Sequence, residues 1–305
     1  MAIPKRLKRQ AGRYARVDGI PYKLPINSDD AAVIMAAFPA SYERAKALFP
    51  GNEVHPLRLL NGKAVFVVTV VDYRITDIGK YIEYSIALAC TQGSKPAPKL
   101  VPAMLMNTYK TGQYILDLPV STEISVKGGK GIWGMPKHQA NLDFLEGPEL
   151  LSAQYDKGGQ MVMRLDVSRP SKVFLPINLG AANYCQFRGM LMKSNIYFKG
   201  KAGFSLYRKG SARLTFGEHP RAAPLKSLEI EEQPIFTAYL PKTTGILDDY
   251  FESWFLSYPS LPDENPEGLE SVFHMGFGEE WLEKPNRERD APNRDQEKIS
   301  VPAGV

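Results

Sequence analysis

The chain has 305 residues, and a composition of 44% hydrophobic and 23% charged residues excludes a disordered, collagen-like or coiled-coil protein. Its net charge of +5 is concentrated in Lys5, Arg6, Lys8, Arg9, Arg13 and Arg16, ahead of the first acid, Asp18; the remaining 32 of the 38 basic residues face 33 acidic ones. A near-neutral body lacks the basic stripe of a nucleic-acid binder, and no apolar run reaches the roughly 20 residues that cross a membrane as a helix.

Residues 1–18 read as a basic arm without the apolar core of a secretory signal. Residues 19–282 carry no linker or repeat and read as a single domain, and 283–305 as a tail of alternating charges. Cys90 and Cys185 have no C-x-x-C spacing and read as reduced thiols of a cytoplasmic protein.

Along the chain, Ser41 can cap a helix over Tyr42–Leu48 that stops before Pro50. Short apolar or β-branched runs bounded by turn residues predict strands at 64–72, 82–90, 100–109, 160–167, 190–198, 204–207 and 212–216. Ile246, Tyr250, Phe251 and Trp254 fall at helical spacing and predict a second helix over 245–255. So many closely spaced strands predict an α+β protein, largely antiparallel β, closed as a sandwich or barrel with a few packing helices. His55, His219 and His274 have no ligand spacing, and no metal site is expected.

The segment richest in chemistry is Gly128-Gly-Lys-Gly-Ile-Trp-Gly-Met-Pro-Lys-His138. It lacks the Ser or Thr that follows the lysine of a phosphate-binding loop, so nucleotide binding is not indicated. Pro136 fixes its own φ and pushes Met135 toward an extended conformation, which predicts a stiff turn presenting Lys137 beside Trp133. Apolar surroundings disfavour an ammonium ion, making such a lysine a candidate amine nucleophile. From these residues alone, a solvated lysine beside a packing tryptophan is the simpler reading.

From Lys130 to Lys137 the segment resembles the lysine-bearing motif of the acetoacetate decarboxylase family, Gly-Arg-Glu-aromatic-Gly-x-Pro-Lys. Two further stretches are similar: Gly79-Lys-Tyr-Ile-Glu83-Tyr84, and Gly210–Phe216 followed by Ala223-Pro-Leu-Lys-Ser-Leu228. The resemblance spans roughly 20–250. It implies a barrel or cone fold, a carbon–carbon lyase in which Lys137 forms a Schiff base with a keto acid, no cofactor, and a homo-oligomer. It also makes Glu83, otherwise a solvated strand glutamate, a candidate acid/base.

Three departures stand out. His138 occupies the place of a second lysine that in decarboxylating members helps keep the first one neutral, leaving more of that task to burial by Trp133 and Met135. Asn27 stands where an arginine is expected after Pro21-Tyr-Lys23, and Phe66 or Val67 where a glutamate is expected. The expected substrate pocket therefore includes Trp133, Met135, His138 and Phe66, with a more apolar wall favouring bulkier carbonyl compounds over acetoacetate. Decarboxylation of a 3-oxo acid is the first functional expectation. An aldolase-dehydratase or hydratase acting on an oxo acid through the same lysine is the second, and a ligand-binding protein without turnover is the third. In each case the expected partner is a small carbonyl compound, not nucleic acid or membrane.

Overall fold

The run Ala64-Val-Phe-Val-Val-Thr-Val-Val71 is β-branched almost throughout and apolar at both odd and even positions, the signature of a strand buried on both faces. In the computed structural model, which describes residues 5–8, 12–99, 108–187 and 189–258, it opens a strand that runs to Thr76 and is buried for its first ten residues. The fold is mostly β, with 59% strand among the described residues and a few short helices.

The N-terminal hairpin is β1 (Arg13–Val17) and β2 (Ile20–Leu24), followed by β3 (Ile26–Ala40) and a short helix α1 (Tyr42–Ala47). After β4 (Val54–Pro56) come β5 (Ala64–Thr76), β6 (Tyr81–Gln92) and β7 (Gly112–Val120). Helix α2 (Glu123–Trp133) leads into β8 (Lys137–Gln139). A second sheet follows: β9 (Asn141–Leu142), β10 (Leu145–Glu146), β11 (Leu150–Lys157) and β12 (Gln160–Ser168). The chain then returns through β13 (Leu175–Phe187) and β14 (Met190–Leu206). The last described elements are β15 (Ala212–Phe216), α3 (Ala223–Lys226) and the 20-residue β16 (Phe236–Phe255).

Seven strands close a barrel in the order β6-β5-β3-β16-β14-β13-β7, with β7 bonded back to β6. Most pairs are antiparallel, but β7 runs parallel to both β13 and β8, so the barrel is mixed. Strand period then sorts the side chains. On β6, Ile82, Tyr84, Ile86 and Leu88 face out and join Phe66, Val68 and Val70 of β5 in the main core, packed against Leu151, Tyr155, Val162 and Leu165 of the second sheet. Tyr81, Glu83 and Ser85 face the other way, into the barrel.

Several sequence expectations change here. Residues 245–255 are the second half of β16, not a helix: Phe251–Phe255 pairs with Met190–Ser194 of β14. This long-range ladder outweighs a spacing signal carried by aromatic and β-branched residues, which suit either state. Arg13–Val17, placed in the basic arm, is a strand whose Arg13 forms an ion pair with Asp249. The strand expected at 100–109 falls largely outside the described residues, and so does the charged tail. No described helix is long and apolar enough to cross a membrane.

Candidate active site

Glycine costs a helix about 1 kcal/mol relative to alanine, yet α2 contains Gly128, Gly129 and Gly131. Close approach explains them. A Cβ at Gly128 would lie 2.6 Å from the ring of Tyr22, one at Gly131 2.6 Å from Val17, and one at Gly129 2.3 Å from Cδ of Lys137. The hairpin β1–β2 thus packs along one side of the helix, and the lysine side chain passes directly over the other. Sequence reasoning assigned no helix to this stretch, because glycine is a loop signal until its packing partners are known.

The helix ends at Gly134, whose φ of +64° and N–H bond to Lys130 O make a left-handed cap. Lys137 N–H then donates to Met135 O at 2.8 Å, closing a tight turn around Pro136. Trp133 anchors the corner by donating its indole N–H to Asp248 O at 2.9 Å. Lys137, the first residue of β8, is 4% exposed and points into the barrel.

Its Nζ donates to Glu83 Oε2 at 2.7 Å and to Ser125 Oγ at 3.0 Å, and sits 5.6 Å from the centre of the Tyr81 ring. Tyr81 stacks on Tyr73, with ring centres 4.5 Å apart. Burial, reinforced by the nearby Glu83 carboxylate, pushes both phenols well above their ordinary range, so they remain neutral donors. These groups line a pocket with about 750 Å³ of empty space, its mouth included, to which all seven barrel strands contribute. Its far wall carries Ile196, Phe198, Ile246 and Leu247, and Lys137 is the only cation among the described residues lining it.

Of the residues singled out in the sequence, Lys137, Glu83, Trp133 and Met135 meet in this pocket, and Asn27 lies on its wall. Phe66 does not. As an even-numbered residue of β5 it faces outward into the main core, fully buried. Val67 packs in a separate cluster with Ala37, Leu57 and Val65. His138 is also outside the pocket, because successive residues of a strand point to opposite faces. Sequence reasoning missed Ser125, Tyr73 and the interior face of β16. Only the helical placement of Ser125 or the barrel closure could have revealed them.

Behind the lysine, His138 enters a buried polar network between barrel and second sheet. Lys157 Nζ, which can only donate, lies 2.9 Å from His138 Nδ1, so Nε2 carries the proton and donates to Asp117 Oδ1 at 2.9 Å. Asp117 also accepts from Tyr155 OH at 3.2 Å and Arg221 Nη1 at 3.3 Å. Burial opposes ionisation of Asp117, but His138, Arg221 and Tyr155 overcome it and hold the carboxyl below its usual range. Burial likewise holds the imidazole below its usual 6.5, with Arg221 and Lys157 adding to it against the pull of Asp117.

Two expectations follow. An unfolded chain takes up the His138 proton below about pH 6.5 while the native one does not, so this contribution to stability is intact above pH 6.5 and lost as pH falls. Denaturant melts should show stability falling below that pH by at most about 1.4 kcal/mol per unit for this group, with Asp117 adding to the loss below 3.8. The second concerns Gly129→Ala. Its methyl should displace the Lys137 side chain from Glu83 and Ser125 and lower stability by about 1–3 kcal/mol in denaturant melts, while the helix retains its circular dichroism.

Solved structures share the fold. Acetoacetate decarboxylase from Legionella pneumophila aligns at TM-score 0.54 and 14% identity over 75% of this chain and 87% of that one. The enduracididine biosynthesis enzyme MppR, complexed with the condensation product of pyruvate and imidazole 4-carboxaldehyde, aligns at TM-score 0.52 and 12% identity over 75% and 88%. An acetoacetate decarboxylase-like enzyme from Sphingomonas wittichii aligns at TM-score 0.51 and 13% identity over 77% and 95%. No curated protein matches the chain. The family model described as acetoacetate decarboxylase matches residues 13–180, more than half of the sequence and inclusive of Glu83 and Lys137, and the chain belongs to the acetoacetate decarboxylase family.

Proposed function

We propose that the protein is a lyase in which Lys137 forms a Schiff base with an oxo acid, and that its reaction is decarboxylation of a 3-oxo acid. The observation that carries this reading is the buried Lys137 Nζ, held between Glu83 and Ser125 in an otherwise largely apolar pocket. Glu83 takes a proton from the lysine, freeing the amine to attack the ketone carbon. It returns that proton to the carbinolamine oxygen, water leaves, and an iminium forms.

The bond between the α-carbon and the carboxylate then breaks. Its electron pair moves toward the iminium nitrogen, giving a neutral enamine and carbon dioxide. The enamine carbon takes up a solvent proton relayed by Glu83, and hydrolysis releases the ketone and restores the amine. The pocket favours this direction: with no second cation among the described lining residues, a carboxylate is poorly stabilised there, and losing it as carbon dioxide removes the charge.

The test is a panel of 3-oxo acids assayed for carbon dioxide release, alongside aldehyde-plus-pyruvate pairs. Longer or aromatic 3-oxo acids should exceed acetoacetate in kcat/KM by at least about tenfold, or about 1.4 kcal/mol, through burial against the apolar wall. Condensation of aldehyde with pyruvate and no carbon dioxide from any member would instead assign an aldolase-dehydratase.

A further inference from the structure

The pocket contains a hydroxyl with no hydrogen-bond partner among the described residues. Ser28 lines it and is 7% exposed, and its Oγ is buried without a hydrogen bond. Such an atom forfeits the hydrogen bonds it makes in water unless something entering the pocket replaces them.

Its neighbours are committed elsewhere. Thr76, paired with Ser28 across the β3–β5 ladder, donates its hydroxyl to Gly79 O at 2.6 Å and accepts from Ile78 N–H at 3.2 Å. Asn27 uses its side-chain amide on Asp77 Oδ2 at 2.8 Å and on Pro25 O at 3.4 Å. On the other side, Ser28 pairs with Gly245 of β16, which has no side chain to cover the hydroxyl. The ladder slips register between Ser28 and Asp30, and Ile26, Asn27 and Ser28 all line the pocket in succession.

We infer that Ser28 is a specificity residue for the far end of the substrate, receiving an oxygen function remote from the carbonyl that Lys137 takes. This rests on the Schiff-base reading for the near end only. Ser28 on β3 lies two strands from Glu83 on β6, at least about 10 Å by strand spacing. A ligand joining the two is therefore elongated, with an apolar middle against Ile196, Phe198 and Leu247 and a terminal hydroxyl or carbonyl oxygen. A four-carbon oxo acid cannot span that distance.

The test uses a matched pair, 9-hydroxynonan-2-one and decan-2-one, which differ only in a terminal hydroxyl replacing a methyl. Calorimetric titration should show the hydroxylated ketone binding about tenfold more tightly. In Ser28→Ala, with an unchanged melting temperature, the difference within the pair should shrink to less than about twofold. Equal affinities in the wild-type protein, or a preference that survives Ser28→Ala, would overturn the inference. Reduction with cyanoborohydride in parallel separates the two ideas. Adduct formation without hydroxyl preference removes the role of Ser28 alone, whereas a Ser28-dependent preference without adducts preserves it and removes the Schiff base.

Discussion

Lys137→Ala should bring turnover down to background, a loss of at least about 10⁴-fold or about 5.4 kcal/mol of barrier, because in the proposed reaction this residue forms the covalent bond and no other described residue lining the pocket is an amine. Lys137→Arg should fail equally. A guanidinium keeps the charge beside Glu83 but does not deprotonate to a nucleophile at accessible pH. The arginine variant is the more informative, since it retains a cation opposite the buried carboxylate and guards against simple unfolding; circular dichroism and melting temperature should remain close to wild type. Substantial turnover by either variant would remove the lysine from the chemistry.

The second large effect is expected at Glu83. Glu83→Gln preserves shape and an oxygen for Lys137 Nζ while removing the base 2.7 Å away, and should lower turnover about 10²- to 10⁴-fold, the usual range for a positioned acid/base. Schiff-base formation should slow but still occur, since the amine remains. Steady-state rates and borohydride trapping on the same variant separate these two consequences. An unchanged rate would mean that Glu83 only balances the lysine charge.

The difference between what could be read from sequence and what could not lies in the range of the signals. Val-rich β5 and the Gly-Lys-Tyr-Ile-Glu83 entry to β6 declare themselves locally, since apolar β-branched runs need only their own residues to be recognised. The lysine motif was legible through its resemblance to the family, which also implied that Lys137 and Glu83 share a site; from the residues alone both read as solvated. Placement of His138 was not legible. Whether it shares the pocket depends on Lys137 being the first residue of a strand, and three glycines upstream hid both that strand and the preceding helix. Phe66 failed for the same reason: on a strand buried on both faces, composition cannot tell inside from outside, and parity is fixed only by which neighbours the barrel closes upon. Residues 245–255 show the converse, where helical spacing of aromatics was overruled by pairing with a distant strand.

The most direct measurement is peptide mapping by mass spectrometry after incubation with an oxo acid and cyanoborohydride. A single reduced adduct is expected per chain, on the peptide containing Lys137, and competition by a 3-oxo acid substrate should suppress it. Absence of any adduct, or labelling spread over surface lysines with Lys137 unmodified, would contradict a Schiff-base enzyme built on this pocket.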